Sequence, residues 1–188
     1  MKLRVRSWLL GAALVAGAAG LRATPAQVIF LRHAEKPDSG TELSERGRAR
    51  AQALATLFTH DPRVLEHGPA VAVFVMKPAK YSSIRAVETM FPTGQALHVP
   101  LKNNYFREDI DGLAHALLNP KKYNGGTVIV CWEHNQIPEM LKALGWTEGP
   151  PRWRDQDYDR LWILDLEAGK PVRFRDLPQR LLPGDAEK

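Results

Sequence analysis

Cysteine is almost absent from this sequence, because Cys131 is the only one among 188 residues. A single cysteine excludes an internal disulfide, and its place in an apolar run is typical of a small buried hydrophobic group. The sequence also has no His-x-x-x-His pair and no cysteine cluster, the spacings by which common zinc sites are recognised. We therefore predict that the protein works without a metal and without a cofactor.

Acidic residues are absent from residues 1–22, which contain four basic ones. The formal net charge of the chain is +5. Removing those four from the 26 Lys and Arg residues leaves 22 basic against 21 acidic side chains, a net charge of +1 for residues 23–188. This part has no lysine run and no basic patch with interleaved aromatics, so the sequence indicates no nucleic-acid partner.

A hydrophobic run long enough to cross a bilayer is also lacking. The uncharged segment from Ser7 to Leu21 is shorter than the about 20 residues that a transmembrane helix needs. Preceded by the basic residues 1–6 and ending in small residues, it has the pattern of a secretory signal peptide. We predict that residues 1–22 are cleaved, that residues 23–188 form a single domain, and that the protein is periplasmic or secreted, with no stable membrane association after cleavage. An uncleaved N-terminal membrane anchor is the alternative.

Strand-like and helix-like segments alternate along the rest of the chain. This order predicts an α/β fold, a three-layer sandwich with a mostly parallel central sheet and helices on both faces. Strands are predicted at Ala26–Leu31, Val71–Val75, Leu97–Val99, Thr127–Trp132, Leu161–Leu166 and Val172–Phe174, and helices after Ser44, from Ser83 to about Met90, at Glu108–Leu118 and at Pro138–Leu144. The polar tail from Pro178 is predicted to be loosely ordered.

Imidazole and guanidinium side chains follow three of the predicted strands. Arg32 and His33 come directly after the first strand, and Glu133 and His134 after the fourth. Arg85 lies early in the helix that follows the second strand. Ligands of open α/β sheets bind outside the carboxyl ends of the strands. If these strands are neighbours, two histidines and two arginines meet in one pocket.

Such a pocket suits phosphoryl transfer. Arginine offers a planar set of donors that matches phosphate oxygens. Histidine can act as a nucleophile that divides a difficult hydrolysis into two easier steps. Most of the catalysis of phosphoryl transfer comes from positioning and from electrostatic stabilisation. The residues therefore predict a site that binds and transfers a phosphoryl group.

Four motifs lie at these positions: Phe30–Pro37 (Phe-Leu-Arg-His-Ala-Glu-Lys-Pro), Leu43–Gly47 (Leu-Ser-Glu-Arg-Gly), Arg85–Thr89 and Val128–His134. Together they resemble the histidine phosphatase superfamily, also called the phosphoglycerate mutase-like superfamily, and in particular its small exported bacterial-type members. The resemblance extends over about residues 27–165. Its most specific parts are Arg-His-Ala-Glu and Leu-Ser-x-x-Gly.

The resemblance implies a role for each residue of the pocket. His33 would be the phosphorylated nucleophile, Arg32 and Arg85 would bind phosphate, and His134 would contact the transferring group. Many relatives have Ser-His-Gly around the second histidine, where this chain has Glu-His-Asn. Glu133 is our first candidate for the acid that protonates the leaving oxygen, and Glu108 is the second.

The function predicted in this way is that of a metal-free phosphohydrolase, either a phosphomonoesterase or a phosphohistidine or phosphoprotein phosphatase. Its partner would be a phosphorylated small molecule or a phosphoprotein. A phosphoglycerate mutase-like phosphotransferase and a non-catalytic module that binds a phosphorylated ligand are the alternatives. Specificity would come from the loops Lys77–Ser82, Asn103–Asp111 and Gly149–Asp159.

Overall fold

A computed structural model of the protein describes residues 24–79, 84–119, 122–123, 125–148 and 152–187. The signal peptide predicted for residues 1–22 lies outside the described residues, as does Ser83, where the second helix was predicted to begin. The elements are β1 (Gln27–Arg32), α1 (Glu45–His60), β2 (Ala70–Val75), α2 (Arg85–Ala96), β3 (Leu101–Lys102), α3 (Ile110–Leu117), β4 (Thr127–Trp132), α4 (Ile137–Ala143), β5 (Arg160–Glu167) and β6 (Lys170–Pro178).

The six strands form one sheet in the order β3-β2-β4-β1-β5-β6. The first four strands in this order are parallel to one another, whereas β5 is antiparallel to β1 and to β6. Helices α1 and α2 pack against each other, and α3 packs against α4. The predicted three-layer α/β fold with a mostly parallel sheet is confirmed.

Strands β1 and β4 lie side by side in the middle of the sheet. Every residue of both strands is buried. This burial on both faces of a parallel sheet explains why the two strands are nearly continuous apolar runs in the sequence. Their register pairs Arg32 with Trp132, so the two strands end at the same level. The backbone N–H of His33 donates to the carbonyl oxygen of Trp132 at 3.2 Å. The residues that follow β1 and β4 therefore emerge together at one edge.

Two expectations about local structure are wrong. Residues 97–99 form no strand: α2 continues to Ala96, His98 has a φ of 54°, and the third strand is Leu101–Lys102. Periodicity cannot distinguish so short an apolar run from the end of a helix. The tail after Pro178 is not loose either, because Gln179 is only 1% exposed and the side chain of Asp185 is buried against Arg50.

The helices of the described part of the chain include none that is long and apolar enough to span a membrane.

Candidate active site

The carboxyl ends of β1 and β4 place three basic side chains in the same buried region. Arg32, His33 and His134 are 4%, 6% and 7% exposed, respectively. Buried groups of this kind are unusual unless they are paired or have a ligand to bind. Arg32, His134 and Arg85 of α2 all act on the His33 imidazole electrostatically. The structure therefore brings the two histidines and the two arginines together, while their part in catalysis stays a prediction.

His33 presents an unprotonated ring nitrogen. Its Nδ1 lies 2.8 Å from the carbonyl oxygen of Ala34. Because a carbonyl oxygen only accepts, Nδ1 must carry the proton, and Nε2 keeps its lone pair. Burial, with smaller contributions from the nearby Arg32, Arg85 and His134, lowers the pKa of His33 to about 4, although the hydrogen bond to Ala34 acts in the opposite direction. The ring is therefore neutral at neutral pH, and its Nε2 lone pair can act as a nucleophile.

Hydrogen bonds from two helices hold the loop that follows His33. The backbone N–H of Ala34 donates to Oγ1 of Thr89 in α2 at 2.9 Å. The carbonyl oxygen of Glu35 accepts from the backbone N–H of Ser44 at 2.9 Å and from its Oγ at 3.2 Å. Ser44 also caps α1 by accepting from the N–H of Gly47 at 3.1 Å. A Cβ on Gly47 would overlap the carbonyl oxygen of Glu35, which explains the glycine of the Leu-Ser-x-x-Gly motif.

A buried ion-pair network lies beneath this loop. Nη2 of Arg50 donates to Oε1 of Glu35 at 2.7 Å and to Oδ1 of Asp185 at 2.8 Å. Burial by itself would raise the pKa of Asp185, but hydrogen bonds from Arg50 and from two backbone N–H groups hold it at about 2. Sequence patterns do not reveal Arg50 or Asp185, since their pairing joins distant parts of the chain.

Arg32 is held between a backbone carbonyl and an aromatic ring. Its Nη1 donates to the carbonyl oxygen of Asp155, and its guanidinium carbon lies 3.9 Å from the ring centroid of Tyr158. Its Nε is buried and has no hydrogen-bond partner within the described ranges. Burial lowers the pKa of Arg32, while Tyr158 and the carboxylates of Glu133, Asp155 and Asp157 raise it. An arginine nevertheless remains a cation in proteins.

Carboxylates face both ring nitrogens of His134. Nε2 is 3.1 Å from Oδ1 of Asp155. Because a carboxylate only accepts, Nε2 is the donor in this contact. Nδ1 is 2.9 Å from Oε1 of Glu133, but this contact lacks the geometry of a hydrogen bond. The N–H group of His134 at Nε2 therefore points at the carboxylate of Asp155.

The two predicted acids differ in their surroundings. Glu133 contacts His134, and its Oε2 is 3.6 Å from Nε of Arg107. The side chain of Glu108 is 75% exposed, and its Oε1 is 3.9 Å from the same Arg107 nitrogen. Glu133 thus belongs to the buried cluster, whereas Glu108 lies on a loop at its margin. Which of them donates the leaving-group proton stays a prediction.

Arg85 reaches the site from α2 and also holds a neighbouring loop. Its Nε donates to the carbonyl oxygen of Glu42 at 3.0 Å, and its Nη2 donates to that of Gly40 at 2.5 Å. The charge of Arg85 is near enough to His33 to lower the pKa of the imidazole. The Arg85 side chain can therefore donate hydrogen bonds both to the loop and to a bound anion.

In the described part of the chain, one group of side chains has its ligand atoms close enough together to bind a metal ion: Glu66, His67 and Asp165. Both carboxylates already pair with Arg173 and Arg175. Two guanidinium groups at these oxygens suit an ion-pair cluster, and none of these residues belongs to the His33 site.

Comparison with solved structures confirms the histidine phosphatase fold. The chain is similar to the protein histidine phosphatase SixA complexed with tungstate, with a TM-score of 0.55 and 15% identity over 81% of this chain and 97% of that chain. It is similar to phosphoglycerate mutase from Plasmodium falciparum, with a TM-score of 0.53 and 17% identity over 86% and 96% of the two chains. It is also similar to the alpha-ribazole phosphatase from Shigella flexneri, with a TM-score of 0.50 and 14% identity over 83% and 98%. At such identities the similarity establishes the fold alone.

No protein-family model and no curated protein matches the sequence.

Proposed function

We propose that the protein is a phosphohydrolase that acts through a phosphohistidine on His33. The observation that carries this proposal is the state of the His33 ring, whose Nδ1 donates to the Ala34 carbonyl oxygen while burial lowers its pKa to about 4. Nε2 is then an unprotonated nucleophile beside Arg32 and His134. The surrounding cations can neutralise the oxygens of a phosphoryl group.

The reaction takes place in two displacements. In the first, Nε2 of His33 forms a bond to phosphorus while the bond from phosphorus to the ester oxygen breaks, and that oxygen takes a proton from an acid. Glu133 is our first candidate for this acid and Glu108 the second. In the second displacement, water attacks the phosphorus and gives a proton back to the carboxylate left by the first step, the P–N bond breaks, and inorganic phosphate leaves. Arg32, Arg85 and His134 hold the three non-bridging oxygens in both steps.

The substrate is a phosphate monoester or a phosphohistidine protein. The three similar structures are described as a protein histidine phosphatase, a phosphoglycerate mutase and an alpha-ribazole phosphatase. Their substrates share a transferable phosphoryl group, which is the part of a substrate that the His33 site can bind. Hydrolysis, rather than transfer to a second substrate, is proposed because the described residues form one domain around a single six-stranded sheet and include no second domain that would shield a phosphohistidine from water.

Replacement of His33 by alanine tests the nucleophile. We expect His33→Ala to lower kcat for an aryl phosphate by about 10⁴-fold or more, the scale on which removal of a catalytic nucleophile acts. The wild type, quenched in alkali after mixing with a radiolabelled phosphate ester, should retain label on protein that acid releases, because phosphohistidine is stable in base and labile in acid. His33→Ala should retain none.

His115→Ala is the matched control, since His115 is exposed on α3, away from the cluster. It should keep the wild-type rate and the label. Undiminished turnover by His33→Ala would refute the proposal. Binding of inorganic phosphate by the wild type without turnover of any ester between acid and neutral pH would identify a non-catalytic binding module instead.

A further inference from the structure

Asp155 makes two contacts with the basic cluster, one from its backbone and one from its side chain. Its carbonyl oxygen accepts a hydrogen bond from Nη1 of Arg32. Its carboxylate oxygen Oδ1 accepts from Nε2 of His134 at 3.1 Å. A single residue thus supplies oxygen acceptors to two of the groups that the proposed reaction assigns to a phosphoryl group.

Asp155 lies on a segment that is fixed at both ends, residues 152–159, which we name the strap. Near its start, the buried Trp153 packs on Trp162 with 4.7 Å between ring centroids. At its end, the carbonyl oxygens of Tyr158 and Asp159 accept from Gln179 at 3.2 and 2.7 Å, through the side chain and the backbone N–H, respectively. These contacts tie both ends of the strap to the sheet and the tail.

The middle of the strap is not packed in this way. Arg154, Asp155 and Gln156 are all exposed, and 73% of the Asp155 side chain is accessible. Arg154 and Gln156 border a polar cavity of about 370 Å³. The central residues can therefore move without disturbing the core.

We infer that Asp155 competes with the phosphoryl group for Arg32 and His134, and that substrate binding displaces the middle of the strap. A phosphate oxygen and a carboxylate oxygen seek the same N–H donors, and two anions cannot share one place at low cost. The return of Asp155 to these donors after hydrolysis would also help to release inorganic phosphate. This inference rests on the phosphate site of the proposed function, although it does not require turnover.

The test measures the affinity for inorganic phosphate by isothermal titration calorimetry. Asp155→Ala removes the competing carboxylate but leaves the backbone carbonyl, so we expect phosphate to bind about tenfold more tightly than to the wild type. The dissociation constant is independent of catalysis. A failure of the proposed function would appear as missing turnover, and a failure of this inference as unchanged phosphate affinity.

Asp157→Asn is the matched control, because it removes the same charge from the same strap. Asp157 also acts on Arg32 electrostatically, but its carboxylate binds Nε of Arg154 at 2.8 Å and contacts neither Arg32 nor His134. We expect its phosphate affinity to stay within about twofold of the wild type. Equal tightening in both variants would show a general charge effect and would overturn the inference.

Hydrogen exchange gives a second measurement in the unaltered protein. The backbone N–H of Asp157 donates to the carbonyl oxygen of Arg154 at 3.1 Å within the strap. Saturating phosphate should accelerate exchange of the amides of residues 154–157 while leaving β5 unchanged. Weaker or unchanged phosphate binding by a folded Asp155→Ala variant would overturn the inference, as would slower exchange in the strap.

Discussion

His33 owes its chemical state to its surroundings rather than to its intrinsic basicity. Burial is the largest cause of its lowered pKa, and the cations that would bind a phosphoryl group act in the same direction. The groups that we propose to hold the anion therefore also help to keep His33 unprotonated. The one opposing influence, the hydrogen bond to the Ala34 carbonyl oxygen, selects the tautomer with a free Nε2.

We predict that His33 titrates near pH 4, well below the ordinary histidine value of 6.5. Heteronuclear NMR of the imidazole nitrogens should show Nδ1 protonated and Nε2 unprotonated from neutral pH down to about pH 5. Comparison with spectra of His33→Asn assigns the signals. A midpoint near 6.5, or a proton on Nε2 at neutral pH, would contradict the described geometry.

The same pKa makes stability depend on pH in a predictable direction. The unfolded chain binds a proton on this histidine below about pH 6.5, whereas the folded protein does so only near pH 4. Stability linked to His33 is therefore fully present above pH 6.5 and declines as the pH falls toward 4. The difference amounts to about 3 kcal/mol.

Chemical denaturation between pH 7 and pH 4 measures this contribution. The free energy of unfolding of the wild type should fall by about 3 kcal/mol more than that of His33→Asn over this interval. Carboxylates that lose ion pairs in acid affect both proteins alike, so they cancel in the comparison. Parallel pH profiles for the two proteins would show that His33 is not buried in its neutral form.

At the scale of elements, strand direction determines which loops reach the site. The parallel strands β1 and β4 bring Arg32, His33 and His134 together, and the sequence predicts this because carboxyl ends of parallel strands share an edge. Strand β5 is antiparallel to β1, with Phe30 paired to Trp162. The residues before β5 therefore lie at that same edge. The sequence places Asp155 only within the loop Gly149–Asp159, because the rule on ligand sites concerns the ends of parallel strands and not the start of an antiparallel strand.

Helix α1 approaches the loop after His33 unusually closely, and Gly47 makes this possible. In a helix alanine is favoured over glycine by about 1 kcal/mol, so the glycine has a local cost. Glycine is nevertheless required at position 47, because the Cβ of any other residue would overlap the backbone of Glu35. The Leu-Ser-x-x-Gly spacing was recognisable in the sequence, but the backbone that Gly47 contacts was not.

We predict that Gly47→Ala destabilises the protein by about 1–3 kcal/mol, because α1 must shift away from the loop. It should also lower kcat by displacing His33, which thermal unfolding and aryl phosphate assays together measure. Gly112→Ala in α3 is the control, since the three atoms nearest to its Cβ would all belong to the exposed side chain of Asp109 and not to the backbone. That substitution should leave stability unchanged or raise it, by up to about 1 kcal/mol. Equal effects of both changes would refute this role of Gly47.

At the scale of the whole molecule, the C-terminal tail packs beneath the loop that follows His33. Gln179 donates to the end of the strap and accepts from Nη1 of Arg50 at 3.0 Å. Asp185 binds the same arginine, which in turn binds Glu35. Polar residues in a terminal segment usually indicate disorder. The sequence could not show that Arg50, more than a hundred residues earlier, would be buried as their partner.

Neutralising Asp185 tests how strongly the tail supports the site. Asp185→Asn leaves the buried Arg50 with one carboxylate fewer, so we expect a loss of about 2–4 kcal/mol in the free energy of unfolding. Glu187→Gln is the control, because it removes the same charge from the tail and only the backbone oxygen of Glu187 is bonded, to Arg180. Its stability should equal that of the wild type within about 0.5 kcal/mol.

If Asp185→Asn unfolds like the wild type in denaturant, the tail is not part of the cooperative fold. If instead its loss of stability is accompanied by weaker phosphate binding, the network transmits order from the tail through Arg50 and Glu35 to the loop that carries His33.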